Sequence, residues 1–126
     1  MIKFIIPLAP RTKKNSMKPR ISRDGRFLGL QQSDAYRVYE ETCLWLIPGA
    51  ARQGVSYPVN VRALYYMPTR GIVDIANLHS ALHDVLVKSG VLSDDNSRIV
   101  VSTDGSRVFY DKANPRTEVG ITGADT

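Results

Sequence analysis

The sequence predicts a small α+β domain, a mixed or antiparallel sheet packed by two helices. Three observations predict it. The chain has 126 residues, which suits one core and leaves no room for two, so residues 1–126 are read as a single domain. Segments with alternating apolar residues and segments with apolar residues every three to four positions follow one another in the order βαβαβββ. A composition of 43% hydrophobic and 23% charged residues is that of a soluble globular chain, and no apolar run approaches the roughly 20 residues of a membrane helix.

Each element has its own signal. "MIKFIIPL" is a strand candidate rich in isoleucine, ended by prolines. The polar stretch that follows, about 9–32, carries an "RDGR" turn signal and is expected to be a basic loop or loose hairpin. Ser33 stands where a helix N-cap belongs, and Tyr36, Tyr39, Cys43, Leu44 and Leu46 or Ile47 give a first helix over about 33–47, stopped by "PGA". "YPVNVRALYYMP" alternates Val59, Val61, Ala63, Tyr65 and Met67 with Asn60, Arg62, Leu64 and Tyr66, a strand with two usable faces. A second helix is expected from near Ile75 to Lys88, with "SG" as its stop and Leu78, Ala81, Leu82, Val85 and Leu86 as its apolar arc. "RIVVST" and "RVFYD", joined by "DG", are expected to form a tight hairpin, and "TEVGIT" is a last strand.

Charge is unevenly distributed. Of the net +5, residues 1–39 hold nine basic side chains against two acidic ones, whereas the remainder is acidic on balance. A basic arm joined to a body with grouped carboxylates is expected when one part holds a polyanion and another binds cations. Lys13, Lys14, Lys18, Arg20, Arg23 and Arg26, interleaved with Asn15 and Ser16, are the candidate phosphate contacts. Asp74, Asp84, Asp94 and Asp95 lie before, on and after the second helix, over about 74–96. Hard oxygen donors of this kind suit Mg²⁺, or Mn²⁺ in its place, and can serve phosphodiester hydrolysis. The same residues also serve as helix and turn punctuation.

Other chemistries have less support. His79 and His83 at i, i+4 could share a zinc ion, yet Ser80 replaces the glutamate a metalloprotease needs, and no third ligand is evident. Tyr36, Tyr39, Tyr65, Tyr66 and Trp45 could stack on bases, although their spacing is that of core residues. A single cysteine, Cys43, excludes an intramolecular disulfide. No Walker loop, nucleophilic triad pattern or dinucleotide fingerprint is found. The N-terminus has the wrong order of charge and apolar residues for a secretory signal, so a cytoplasmic location is expected, with no membrane partner.

The ordered segments "PLAPRTKKNS", "SDAYRVYEETCLW" and "DIANLHSALHDVLVKSGVLSDDNSRIV" resemble the RusA family of Holliday-junction resolvases, phage and prophage members above all, from about Ile5 to Ile121. The resemblance implies a RusA-like fold and a homodimer that binds four-way DNA junctions and cuts them with Mg²⁺. That work belongs to recombination, repair or phage DNA processing, in a bacterial host cell if the chain is phage-encoded. It further implies that Asp74, Asp84 and Asp95 are catalytic, that Asp74, Asp94 and Asp95 hold the metal, and that Asn77 is the motif asparagine that orders the helix start.

Two positions depart from the motif. Ala76 stands where the family has its second aspartate, and Ser80 where many members place a lysine. Three readings of Ala76 follow: an active branch that uses the remaining carboxylates and water, a catalytically inactive relative that binds branched DNA, or an inactivating change. Four remaining carboxylates favour the first, because Mg²⁺ commonly keeps several waters.

Overall fold

The computed structural model describes residues 1–13, 17–32 and 34–125. Lys14, Asn15, Ser16 and the cap candidate Ser33 lie outside the described residues, as does the side chain of Lys18. Among the described residues there are seven strands and two α-helices: β1 (Ile2–Ile6), β2 (Met17–Ile21), β3 (Phe27–Gln32), α1 (Asp34–Leu46), β4 (Val59–Met67), α2 (Ile75–Lys88), β5 (Val100–Ser102), β6 (Arg107–Tyr110) and β7 (Arg116–Gly123). A short 3-10 turn, Gly49–Ala51, follows α1. A mixed sheet and two helices in one small domain bear out the α+β expectation.

The alternation in β4 explains the main sheet. Val59, Val61, Ala63 and Tyr65 are buried on one face, in one cluster with Phe4 and Ile6 of β1, Val119 and Ile121 of β7, and Leu78, Leu82, Val85 and Leu86 of α2. β7 lies antiparallel between β1 and β4, and β5 and β6 pair parallel with the other edge of β4. The parallel pairing requires a crossover, and α2 is that crossover. Its apolar arc occupies the positions that the 3.6-residue period predicts.

α1 joins the same core through Cys43 and Ile47. Burial pushes the Cys43 thiol up to about 11, which leaves it a packing group without reactivity. Lys88 donates to Glu40 at 2.8 Å and so ties the end of α2 to α1.

The expected β5–β6 hairpin does not form. The two strands run in series along β4: β5 pairs at Val59–Asn60 and β6 at Leu64–Met67. A hairpin would have left the second half of the β4 edge without backbone partners, and burying unpaired backbone is costly. The "DG" turn instead shifts the chain sideways, with Gly105 at φ +84°. Side chains close the gap between the two strands. Asn60 Oδ1 accepts from Ser102 Oγ and from the Asp104 N–H at 2.7 Å, its Nδ2 donates to Asp104 O, and the Ala63 N–H donates to Ser106 Oγ.

The basic stretch folds as a separate two-stranded hairpin of β2 and β3. Its turn is held by Ser22 N–H to Arg26 O and Gly25 N–H to Ser22 O, and Gly25 takes φ +87°.

Leu86 is fully buried, and its carbonyl accepts from both Val91 and Leu92 as the chain leaves α2. Leu86→Ala is therefore expected to lower stability by about 3 kcal/mol, within the usual range for a buried leucine, with an unchanged denaturant slope in urea unfolding.

Candidate active site

α2 begins where β4 has ended and the chain has turned through 68–73. Asp74 is its N-cap. One carboxylate oxygen accepts the Ala76 N–H at 2.9 Å, and its carbonyl accepts from Asn77 and Leu78. It is both helix punctuation and an exposed carboxylate, since the second oxygen has no hydrogen-bond partner among the described residues. Asn77 contributes a backbone N–H here; its amide side chain makes no hydrogen bond among the described residues.

Asp84 stands apart from Asp74. Ten residues of helix separate them by ~15 Å, too far for two carboxylates to share one ion with ligand distances near ~2.1 Å. Asp84 forms an ion pair with Lys13, each side chain being 30% exposed, and this pins the N-terminal arm to α2. Asp84 is thus placed by the structure against an ammonium and not against Asp74.

The loop after α2 folds back along the helix. Asp94 closes the loop on itself, accepting the Asp95 N–H at 2.7 Å and Asn96 Nδ2 at 3.1 Å. Asp95 is exposed, and its charge acts on the His83 ring. At ~100° per residue, Ala76, Ser80 and His83 lie within roughly 60° of one another on α2. The side of the helix that Asp95 addresses is therefore the side that carries both departures from the motif.

Among the described residues, no group of three or more His, Cys, Asp or Glu side chains is gathered to hold an ion. Of the four candidate aspartates, Asp95 and the second oxygen of Asp74 have no hydrogen-bond or ion-pair partner among the described residues. Exposed carboxylate oxygens are the right chemistry for Mg²⁺, which is commonly held by one or two carboxylates with water and substrate phosphate completing the shell. Asp74 and Asp95 thus offer the donor chemistry a hard cation takes, and Ala76 adds no carboxylate to it.

The histidines are engaged elsewhere. His79 Nδ1 and the hydroxyl of buried Tyr65 share a hydrogen bond of 2.7 Å, and the His79 and His83 rings stack with centroids 5.7 Å apart. Burial lowers both imidazole pKa values; at His83 the neighbouring His79 lowers it further and Asp95 opposes the shift. With Nδ1 of His79 occupied and no third ligand among the described residues, the pair does not present a zinc site.

The basic residues divide by partner. Arg26 is paired with Asp24 at 3.1 Å, whereas Arg20 and Arg23 are exposed on the hairpin. Ser22 and Arg26 together hold the Asp24 carboxyl below its usual range. Of the aromatic candidates, Tyr36 and Tyr65 are core, but Trp45 is 88% exposed on α1, against its core-like spacing. What sequence reading missed is the outer face of β4 and its neighbours: Arg62 and Arg107 are exposed, and Tyr66 stacks on Phe109 at 4.8 Å. The only signal was the second face of β4, whose partners are distant in sequence.

Comparison with protein families finds that the family described as Endodeoxyribonuclease RusA matches residues 7–122. A comparison with curated proteins finds no significant match.

An imidazole whose pKa is lower in the folded than in the unfolded chain makes stability rise with pH. The folded state binds fewer protons there, so stability is complete above the unfolded value near ~6.5 and is lost as pH falls below it. Thermal melts between about pH 7 and 5 are expected to show this decline, and His79→Gln to make it shallower.

Proposed function

The chain belongs to the RusA endodeoxyribonuclease family, which implies a Holliday-junction-resolving nuclease, and from that premise we propose that it is an active, divalent-metal-dependent enzyme working as a homodimer on four-way DNA junctions. The observation that carries this reading is the family match over residues 7–122, which includes two exposed carboxylates at the candidate positions, Asp74 at the mouth of α2 and Asp95 on the loop after it. Bound there, Mg²⁺ would supply charge neutralisation at the phosphate and a more acidic water. Asp74 and Asp95 would hold it.

The other residues act around that pair. Asp94 fixes the loop that presents Asp95. Asp84 holds the N-terminal arm against α2 through its ion pair with Lys13. Arg20 and Arg23, with Arg26, Lys14 and Lys18, would contact junction phosphates and give binding its salt dependence. Lys13 serves the same surface indirectly, through its ion pair.

A second reading has a specific basis. Ala76 removes a carboxylate from the side of α2 facing Asp95, and Lys13 neutralises Asp84. A junction-binding protein without cleavage would carry these same changes.

Single-turnover cleavage of a labelled four-way junction in Mg²⁺ and in Mn²⁺ separates the two. Paired nicks are expected from the chain as it is. Partners one shell outside a metal ligand are typically worth about 10–100-fold, so Asp74→Asn and Asp95→Asn are expected to slow cutting by at least that much with binding retained. Cleavage by Ala76→Asp alone, with equal binding by the parent chain, would establish the second reading.

A further inference from the structure

We propose that the helix-free face of the main sheet is a second DNA-backbone contact surface, centred on Lys3, Arg62 and Arg107. It rests on the reading that DNA is the ligand and is independent of whether the chain cuts. Residues of β1, β7, β4 and β6 that alternate with the core positions point to this face. Cross-strand registers set Lys3, Gly120 and Arg62 in one row, Ile5, Glu118, Leu64 and Arg107 in the next, and Arg116, Tyr66 and Phe109 in a third. Neither helix covers them, since the core of α1 and α2 packs on the opposite face.

The face is built to hold cations outward. Arg116 lies over the Tyr66 ring at 3.7 Å, Tyr66 stacks on Phe109 with planes 13° apart, and Arg107 lies over Phe109 at 5.1 Å. Arg116 is neutralised internally, its Nε bonded to Glu118 at 2.7 Å and its Nη1 to Asp111 at 2.9 Å. Those two bonds occupy the carboxylates nearest the stack. Lys3, Arg62 and Arg107 are exposed and have no ion-pair partner among the described residues. The Arg62 stem is laid across the 104–105 turn, where a Cβ on Gly105 would come 3.0 Å from its Cδ, and Asp104 is the remaining carboxylate of that turn.

Charge complementarity selects the occupant. A second copy docking through this face by two-fold symmetry would bring the same unpaired cations against themselves, whereas a phosphate backbone satisfies them. Because the inner stack occupies both ring faces of Tyr66 and Phe109, the contact is with the sugar-phosphate backbone and not with unstacked bases.

The test is equilibrium binding of a labelled four-way junction and a linear duplex, without divalent metal, over a range of salt. The double variant Arg62→Glu/Arg107→Glu is expected to bind both at least about tenfold more weakly near 0.1 M salt, with a log–log salt slope smaller by about two. Arg62→Lys/Arg107→Lys, which keeps the charges, is expected to bind nearly as the parent does. Circular dichroism and melting temperature establish that each variant is folded. Unchanged affinity and slope in a folded charge-reversed variant would overturn the proposal, as would a change in dimer mass by sedimentation that accounts for the lost binding. If the parent itself binds no DNA, the nuclease reading fails with it, whereas a binding parent and an unaffected variant sink this inference alone.

Discussion

Everything in the molecule is arranged around the need of β4 to satisfy both of its edges and both of its faces. One edge is closed by β7 over Val59–Tyr66, the other by β5 and β6 in series. A central strand in that position must have its inner side chains covered, and the covering element is the helix that carries the chain back for the parallel pairing. That helix starts after the C-terminal end of β4, so its first residue, Asp74, is presented beyond the sheet edge. Open sheets with parallel strands bind ligands at that end. The carboxylate is therefore positioned by the crossover and not by any local preference of the loop.

How legible this was in the sequence depended on the range of the interaction. α2 was readable to the residue because its stop and start signals and its apolar arc are all local. β4 was readable for the same reason. The β5–β6 connection was not: "DG" favours a hairpin locally, and only the unpaired edge of β4, some 40 residues away, makes the strands run in series. The partner of Asp84 was out of reach in the same way. Spacing marks Asp84 as a neighbour of Asn77 on α2, yet the helical rise that puts them on one side also puts Asp84 ~15 Å from Asp74. Nothing local to α2 could announce that Lys13 of the arm would meet it.

The neighbourhood of α2 shows two separate solutions for negative charge. Asp84 is compensated inside the fold by an ammonium, so it demands no ion. Asp74 and Asp95 are exposed to solvent, and position 76 adds no further charge to the first turn of α2. A carboxylate added at 76 would raise cation affinity and, without a cation, would raise repulsion in the first turn of a helix whose dipole offsets only part of it. On the proposed site, the alanine would exchange metal affinity for a metal-free state with less like charge in the first turn. A cation held weakly by the protein would depend on the phosphate of the substrate to complete its shell, which couples metal loading to DNA binding.

That coupling gives the cationic surfaces a role beyond retention. If the ion is bound fully only when a phosphate is beside Asp74, each contact that holds the backbone in place also raises occupancy of the metal at the site. The arm is joined to α2 through Lys13 and Asp84, and Arg70, just before the chain that leads into Asp74, lies over the Tyr110 ring at the end of β6. On the proposed site, a backbone held by these surfaces would bring its phosphate to Asp74 with less freedom left, and that restriction, more than charge alone, would let two carboxylates serve where the family motif provides for more.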